Sequence, residues 1–468
     1  MCGISGILNF DKSKPVRQEE LRPMVASMVH RGPDDEGFYL NQNVGFGFKR
    51  LSIIDLHNGH QPLSNEDGKV WIVFNGEVYN FPELRKDLIK RGHQFSTQTD
   101  TETIVHLYEA YGRECVDHLR GMFAFAIWDD RKKKLFCARD RFGIKPFFYH
   151  FTDERFVFGS EIKTVLGAGG IDTSMDVRAL DSFFTYKYIS DDRTIFHEIK
   201  KLKAGHFVEI DCAGQTPKIE IDRYWNIDYC PDYSKTEEEW GESLREELKE
   251  AVRMRMISDV PLGAFLSGGV DSSVVVALMS EISHAPIKTF SIGFKEKAFN
   301  ELPYARAVAE RYGTDHHELI IEPDSMDLLF KLVEAYDEPF ADASAIPTYY
   351  VSKFAREHVT VVLSGDGGDE LFAGYNSYDK LHNIKKYNKM PTGFNESFWG
   401  TIHRTLPNTM KGKGISYLLS KDISTVGAYY AMWILPERKK LYKPDLWRQL
   451  GDYVAEDYKK LLLQQSNA

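Results

Sequence analysis

VPLGAFLSGGVDSSVVVALMSEI, residues 260–282, decides the fold of the second half of the chain. VPLGAFL is a short apolar run suited to a buried strand, and DSSVVVALMSEI reads as a helix. Between them lies the loop LSGGVDSS, residues 266–273. Gly268 and Gly269 let the backbone approach a ligand, and Ser267, Ser272 and Ser273 add hydroxyl donors. The helix N-terminus contributes aligned N–H groups and partial positive charge, so the loop is built to hold phosphate. Taken alone, the same glycines would also serve a plain strand–helix turn. No Gly-Lys-Ser/Thr follows, which excludes a Walker A loop.

Downstream, strand and helix keep alternating. IKTFSIGF, HHELII and VTVVLSG (359–365) read as strands, and NELPYARAVAERYG reads as a helix. That order signals an α/β domain with a parallel sheet covered by helices on both faces. A second glycine-rich loop, LSGDGGDELFAGY (363–375), follows another apolar strand. Ligands bind such sheets beyond the carboxyl ends of their strands, where both loops sit. Upstream, Gly241, Leu244, Leu248, Val252 and Met256 mark one face of an amphipathic helix. From about residue 380 onward the pattern is helical.

The first 210 residues differ. VGFGFKRLSIID (44–55), KVWIVFNGEVYN (69–80), FAFAIWDD (123–130) and KLFCARD (134–140) are aromatic and β-branched, with Gly, Asn and Asp between them. PELRKDLIKRG (82–92) and ETIVHLYEAYG (102–112) read as helices ending at Gly. Antiparallel strands with helices between them predict an α+β layered domain. The expected division is a first domain over 2–212, a polar, proline-containing linker over 213–238 and a second domain over 239–468.

Composition narrows the function. Lys and Arg number 59 against 69 Asp and Glu, a formal charge of −10, which disfavours a nucleic-acid partner. No apolar run approaches the ~18 residues of a membrane helix, and the N-terminus lacks the pattern of a signal peptide. The five cysteines, Cys2, Cys115, Cys137, Cys212 and Cys230, are widely spaced and form no CxxC pair. That fits a reducing cytoplasm and argues against a disulfide framework or a zinc site.

Cys2 follows the initiator Met, whose removal would expose a terminal cysteine with its own base. A free α-amine titrates near ~7.7–8.0 and a thiol near ~8.5, so the amine can take the thiol proton. A Met-Cys start is weak evidence alone. RGPDDEG (31–37), KRLSIID (49–55) and FNGEVYN (74–80) strengthen it. Asn75 and Gly76 can offer a side-chain amide and a backbone N–H to one oxyanion. Arg50 can grip an α-carboxylate, while Glu77 and Asp100 can accept from an α-ammonium. Singly, each has a plain reading: a hairpin turn for Asn-Gly, a surface salt bridge for Arg50 and a helix N-cap for Asp100. Together they suggest hydrolysis of the side-chain amide of a free amino acid.

This set closely resembles class II glutamine amidotransferases, whose fold is an N-terminal-nucleophile hydrolase sandwich. The resemblance implies Cys2 as nucleophile, Asn75 and Gly76 as oxyanion hole, and Arg50, Leu51, Ile53, Glu77 and Asp100 as the glutamine-binding positions. The second half resembles the ATP-pyrophosphatases, a Rossmann-like class that cleaves ATP between its α- and β-phosphates and adenylates a carboxylate. Joined in this order, the two resemble glutamine-hydrolysing asparagine synthetases. That likeness implies that Leu266, Ser267, Gly268, Gly269, Asp271, Ser272, Ile292, Ser364 and Gly365 contact ATP. It implies that Asp366 supports formation of the β-aspartyl-adenylate. It also implies that Asp271 and Asp369 share Mg²⁺ with the leaving pyrophosphate, although acids in such loops also serve as turn formers. The implied substrates are glutamine, aspartate and ATP, and the implied assembly is a homodimer. Two other readings stay open: amidation of a different carboxylate, and nucleotide binding without turnover. Relatives also carry a later segment with a Lys-x-Asp-Arg stretch, a Ser-Met pair and an Arg-x-Pro-Phe-like motif. None of the three follows residue 380, so the expectation is a synthetase half without its C-terminal part.

Overall fold

Alternating apolar residues fold the N-terminal half into two antiparallel sheets. The computed structural model describes the chain except residues 191, 298–299, 322–324, 389–391, 408–409 and 466–468. In chain order the strands are β1 (Gly3–Asn9), β2 (Asp35–Asn41), β3 (Val44–Arg50), β4 (Leu63–Ser64), β5 (Val70–Val78) and β6 (Gly121–Asp129). They continue as β7 (Lys134–Arg139), β8 (Phe148–Phe151), β9 (Arg155–Gly159), β10 (Ile199–Lys201), β11 (His206–Asp211) and β12 (Lys218–Arg223). One sheet has the order β10-β8-β9-β1-β3-β2 and the other β12-β11-β7-β6-β5-β4.

The sheets stack face to face. Ile4 and Leu8 of β1, Phe46 and Phe48 of β3 and Phe158 of β9 meet Val73 of β5, Ala124 and Ala126 of β6 and Val208 of β11 in one buried layer. Side chains alternate along a strand, so the intervening residues face outward to helices. Ile72, Phe74 and Val78 pack on Leu88 of the helix Phe81–Lys90 and on Ile104 and Tyr108 of the helix Asp100–Tyr111. Ile7 and Val157 pack on Leu21 and Met24 of the helix Gln18–Ala26. The result is the expected sandwich, with helices outside two central sheets.

The stretch read as linker is partly strand. β12 pairs with β11 along its whole length, from His206↔Arg223 to Asp211↔Lys218. All six of its residues are exposed. An exposed edge strand carries mostly polar side chains, here including Glu220 paired with Arg113 at 3.0 Å, so in sequence it looks like a connection.

The second half holds β13 (Leu262–Phe265), β14 (Lys288–Phe294), β15 (Asp315–Ile321) and β16 (Val361–Leu363) in a parallel sheet of order β15-β14-β13-β16. The helix Val270–Ile282 joins β13 to β14, and Leu302–Tyr312 joins β14 to β15. On one face, Val276 and Met279 pack with Ala305, Ala309 and with Val252 of the helix Glu237–Arg255. On the other, Phe290 packs with Ala355 and Val359. The chain moves one way from β13 to β15 and then returns to the other side of β13 at β16. That reversal opens the crevice in which such sheets bind ligands.

Charged and polar contacts join the two halves. Lys163 Nζ pairs with Asp337 Oδ1 at 2.9 Å, and Lys201 Nζ with Glu338 Oε1 at 2.6 Å. Asp259 N donates to Ile53 O at 3.0 Å, and its Oδ2 accepts from Asp55 N at 2.8 Å. The C-terminal helices are fastened to the helix Val177–Tyr186 by Arg438. Arg438 is 0% exposed, donates to Asp181 Oδ1 at 2.8 Å and forks onto Glu456 at 2.7 and 3.1 Å.

Candidate active site

The predicted glutamine-site residues converge on one end of the sandwich. Cys2 immediately precedes β1, and its side chain packs against the layer between the sheets. Its Sγ points at Leu51 O, 3.7 Å away. Burial pushes the thiol up, and the backbone of Leu51, the terminal ammonium and Arg50 oppose that shift while Glu77 adds to it. The Met1 ammonium donates to Arg31 O at 3.1 Å and is lowered by burial to about 5. Burial thus favours the neutral form of the Met1 amine.

β5 supplies the next groups. Val73 faces the space between the sheets, so Asn75 and Glu77, at two-residue intervals, face it too. Asn75 is 0% exposed, and neither its Nδ2 nor its Oδ1 has a hydrogen-bond partner among the described residues. Buried amides are normally paired, and an orphan one in a folded chain calls for a ligand. The plain reading of Asn-Gly as a hairpin turn fails, because both residues lie inside β5, opposite Ala124 and Phe123. A Cβ at Gly76 would strike the Met122 carbonyl oxygen, so only glycine fits there.

Glu77 and Asp100 are both buried acids. Burial, then the neighbouring Asp100, raises Glu77 well above its ordinary range, with Lys145 opposing. Burial raises Asp100 to about 6, against the Val78 N–H that its Oδ2 accepts at 2.9 Å. Two such carboxylates, both held above their ordinary range by burial, suit an ammonium. Asp100 is not the helix cap; Thr99 Oγ1 caps the helix by accepting from Glu102 N at 3.2 Å.

Arg50 ends β3, is 6% exposed and, among the described residues, forms no surface salt bridge. Its guanidinium donates to Leu56 O at 3.1 Å, Ile54 O at 3.2 Å and Asp55 O at 2.7 Å. It thus ties down the loop that carries Leu51 and Ile53. Sequence reasoning marked Arg31 only as part of RGPDDEG and did not single out Lys145, Glu161 or Asp259. Arg31 Nε donates to Cys2 O at 3.0 Å, and burial lowers the Lys145 ammonium. The arginine of RGPDDEG was the one signal available for this group.

The nucleotide-site candidates lie at the switch between β13 and β16. Gly268 has φ +84, and a Cβ there would sit 2.6 Å from Ala305 N. Ser267 and Ser272 hydroxyls are 2.9 Å apart, and Gly269 N donates to Ser267 Oγ at 3.2 Å. Leu266 is buried, its N donating to Phe290 O at 3.0 Å, with Ser291 Oγ donating to its carbonyl. Ile292 lies on β14, the neighbouring strand. The second loop presses on the first: a Cβ at Gly365 would fall 2.7 Å from Ser272 N, and one at Gly368 2.6 Å from Asp271 Cγ. Asp369 directly follows Gly368 in the first turn of the short helix Gly368–Phe372. Ser364 Oγ donates to Asp366 Oδ2 at 2.8 Å. Oxygen donors on two glycine-lined loops form a cradle of the kind that accepts triphosphate with a hard divalent cation.

Among the described residues, Glu66, His93 and His106 form a different cluster with metal-binding side chains. Burial acts to lower the pKa of His106, but Glu102 and Glu109 hold it up to about 9.

Two protein families match the chain. The glutamine amidotransferase domain family matches residues 1–225, and the asparagine synthase family matches residues 243–459. A Bacillus subtilis protein named asparagine synthetase [glutamine-hydrolyzing] 1 is 40% identical over 89% of this chain and 65% of its own length. A Methanocaldococcus jannaschii protein, also named for a glutamine-hydrolysing asparagine synthetase, is 41% identical over 90% of this chain and 84% of its own. The Gibberella zeae protein named Amidase chry2 is 33% identical over 81% of this chain and 60% of its own. The chain thus spans about two thirds of the length of the Bacillus relative. With both domain families in this order, and such identity across most of the archaeal relative, the chain belongs to the glutamine-hydrolysing asparagine synthetases.

Proposed function

We propose that the chain hydrolyses glutamine at Cys2 and uses the ammonia, with ATP, to convert aspartate to asparagine, releasing AMP and pyrophosphate. The observation that carries the reading is the orphaned Asn75 amide on the same inter-sheet face as Glu77, beside Cys2.

The steps follow from the groups present. Removal of Met1 leaves the Cys2 amine beside its own thiol. Burial disfavours the thiolate, so the proton must pass to a base at the moment of attack, and the neighbouring amine serves. Sγ attacks the carboxamide carbon of glutamine. Asn75 Nδ2 and the Gly76 N–H receive the oxyanion, while Glu77 and Asp100 hold the α-ammonium and Arg50 the α-carboxylate. Ammonia leaves with the transferred proton, and water then cleaves the thioester to glutamate.

In the second domain, Ser267, Gly268, Gly269 and Ser272 cradle the phosphates, and Leu266, Ile292, Ser364 and Gly365 line the nucleotide. The carboxylates of Asp271 and Asp369 suit Mg²⁺, which when bound offsets charge on the departing pyrophosphate. Asp366, oriented by Ser364, supports the adenylate step. The aspartate side chain attacks the α-phosphate, and ammonia displaces AMP from the acyl-adenylate. No described helix is long and apolar enough to cross a membrane, and all five cysteines are free. Both facts support a cytoplasmic setting, and the family reading brings a homodimer with it.

The deciding experiment compares the wild type with Cys2→Ala. The wild type should form AMP and pyrophosphate with aspartate and either glutamine or ammonia, and the variant only with ammonia. Aspartate-independent turnover, or turnover only with another acid, would replace aspartate as acceptor.

A further inference from the structure

A chain of buried charges runs from the Cys2 backbone to the second domain. Arg31 Nε donates to Cys2 O at 3.0 Å, and Arg31 Nη1 pairs with Glu161 Oε1 at 2.9 Å. Glu161 Oε2 lies 2.8 Å from Lys163 Nζ. Lys163 reaches across the domain boundary, its Nζ 2.9 Å from Asp337 Oδ1 and its backbone N 3.0 Å from Asp337 Oδ2. The Arg31, Glu161 and Asp337 side chains are only 9%, 10% and 11% exposed, and Lys163 is 25% exposed. Charges this shielded from solvent feel one another strongly.

The far end is an unusual piece of backbone. Asp337 has φ +62, a left-handed conformation that non-glycine residues adopt only when their surroundings enforce it. Both of its carboxylate oxygens are committed to Lys163. The next residue, Glu338, is held by Lys201 of the first domain at 2.6 Å. This turn is therefore fixed by the glutaminase half, and the same contacts transmit its position back. Glu161 is well placed to relay it. Although burial acts to raise its pKa, His30, Lys163 and Arg31 hold it at about 2, so its charge persists throughout the working pH range.

We infer that Asp337 is a positioning residue for the nucleophile, acting through Lys163, Glu161 and Arg31 to fix the Cys2 carbonyl and hence the direction of Sγ. This rests on the glutaminase reading of Cys2. It makes glutamine hydrolysis sensitive to how the 336–344 segment of the second domain sits, without any of these four side chains touching glutamine.

The test measures glutamate release from glutamine by the full chain, with kcat and KM determined separately. Lys163→Met should lower kcat about tenfold, the scale of one charge-assisted hydrogen bond weakened at a distance, and leave KM for glutamine within about twofold. Asp337→Asn keeps the size and tolerates the left-handed backbone, and it should lower kcat by a similar factor. The double variant should lose no more than either single one, because both interrupt the same chain. Lys163→Arg should restore most of the rate. Melting temperatures of the variants identify any that fail to fold, and for such a protein Lys163→Arg against Asp337→Asn supplies the comparison. A wild type that releases no glutamate would overturn the glutaminase reading itself. An active wild type with Lys163→Met at unchanged kcat would overturn only the relay, as would multiplicative losses in the double variant.

Discussion

Replacing Asn75 with alanine should cost activity and leave stability nearly unchanged. The amide is fully buried and both of its polar atoms lack partners. A buried unpaired polar group costs about 1–3 kcal/mol, so deleting it removes a penalty. The small cavity left behind returns a cost of similar size, since each lost buried group of atoms forfeits its packing contacts. Net stability should change by less than about 1 kcal/mol. Catalysis has no such compensation. An oxyanion donor contributes about 2.7–4 kcal/mol in the transition state, so kcat for glutamate release should fall by about 10²–10³ with KM little changed. Glutamate release at saturating glutamine reads the first quantity, and urea unfolding of the same preparation reads the second. A variant with kcat within about threefold of wild type would refute the oxyanion role. A loss of more than about 2 kcal/mol would show that the amide is instead paired in the resting protein.

Other outcomes are equally specific. Glu77 and Asp100 titrate above their ordinary ranges, Asp100 at about 6, so below that pH the α-ammonium of glutamine loses its anionic partners. KM for glutamine should therefore rise as pH falls from about 7.5 to about 5.5, by no more than about tenfold per unit for each group; a flat profile would exclude these carboxylates from binding. The linked effect on stability has the opposite sign, because the folded state holds these protons more tightly than the unfolded chain and gains stability as pH falls through about 6. Arg438→Met should destabilise by about 3–5 kcal/mol in urea unfolding, since it strands Asp181 and Glu456 in the interior, whereas replacing all three with apolar residues should recover much of the loss. Gly365→Ala places a Cβ 2.7 Å from Ser272 N and should force the two loops apart. Calorimetry with ATP should show Kd raised at least about fivefold, the lower end of what overpacking costs.

The glycine-rich loops and the strands that carry them were readable because they are local. Residues 260–282 contain strand, loop and helix in one continuous pattern, and the structure keeps all three. The alternation along β5 likewise puts Asn75 and Glu77 on one face, a relation carried by spacing alone. The misreadings have physical causes. β12 is polar because it is an exposed edge, so nothing in its composition separates it from a linker. Thr99 and Asp100 are adjacent and both able to cap; only the Val78 N–H, 22 residues away in sequence, draws Asp100 inward. Arg50 also donates to the carbonyls of the loop that follows it, contacts that neither the carboxylate nor the salt-bridge reading anticipated. Asp259, Asp337 and Arg438 were invisible because their partners are joined only by tertiary packing, up to 274 residues apart for the contacts around Asp181.

β1 comes first in sequence among the strands of the sandwich, yet it occupies the interior of its sheet, between β3 and β9. It cannot be seated until β9 emerges about 150 residues later, which at translation speeds of about 5–20 residues per second takes roughly 8–30 s. Throughout that interval the segment that carries Cys2 has only part of its final sheet to pair with. Strand order thus makes the seating of Cys2 a late, long-range event, completed only when β9 closes against β1.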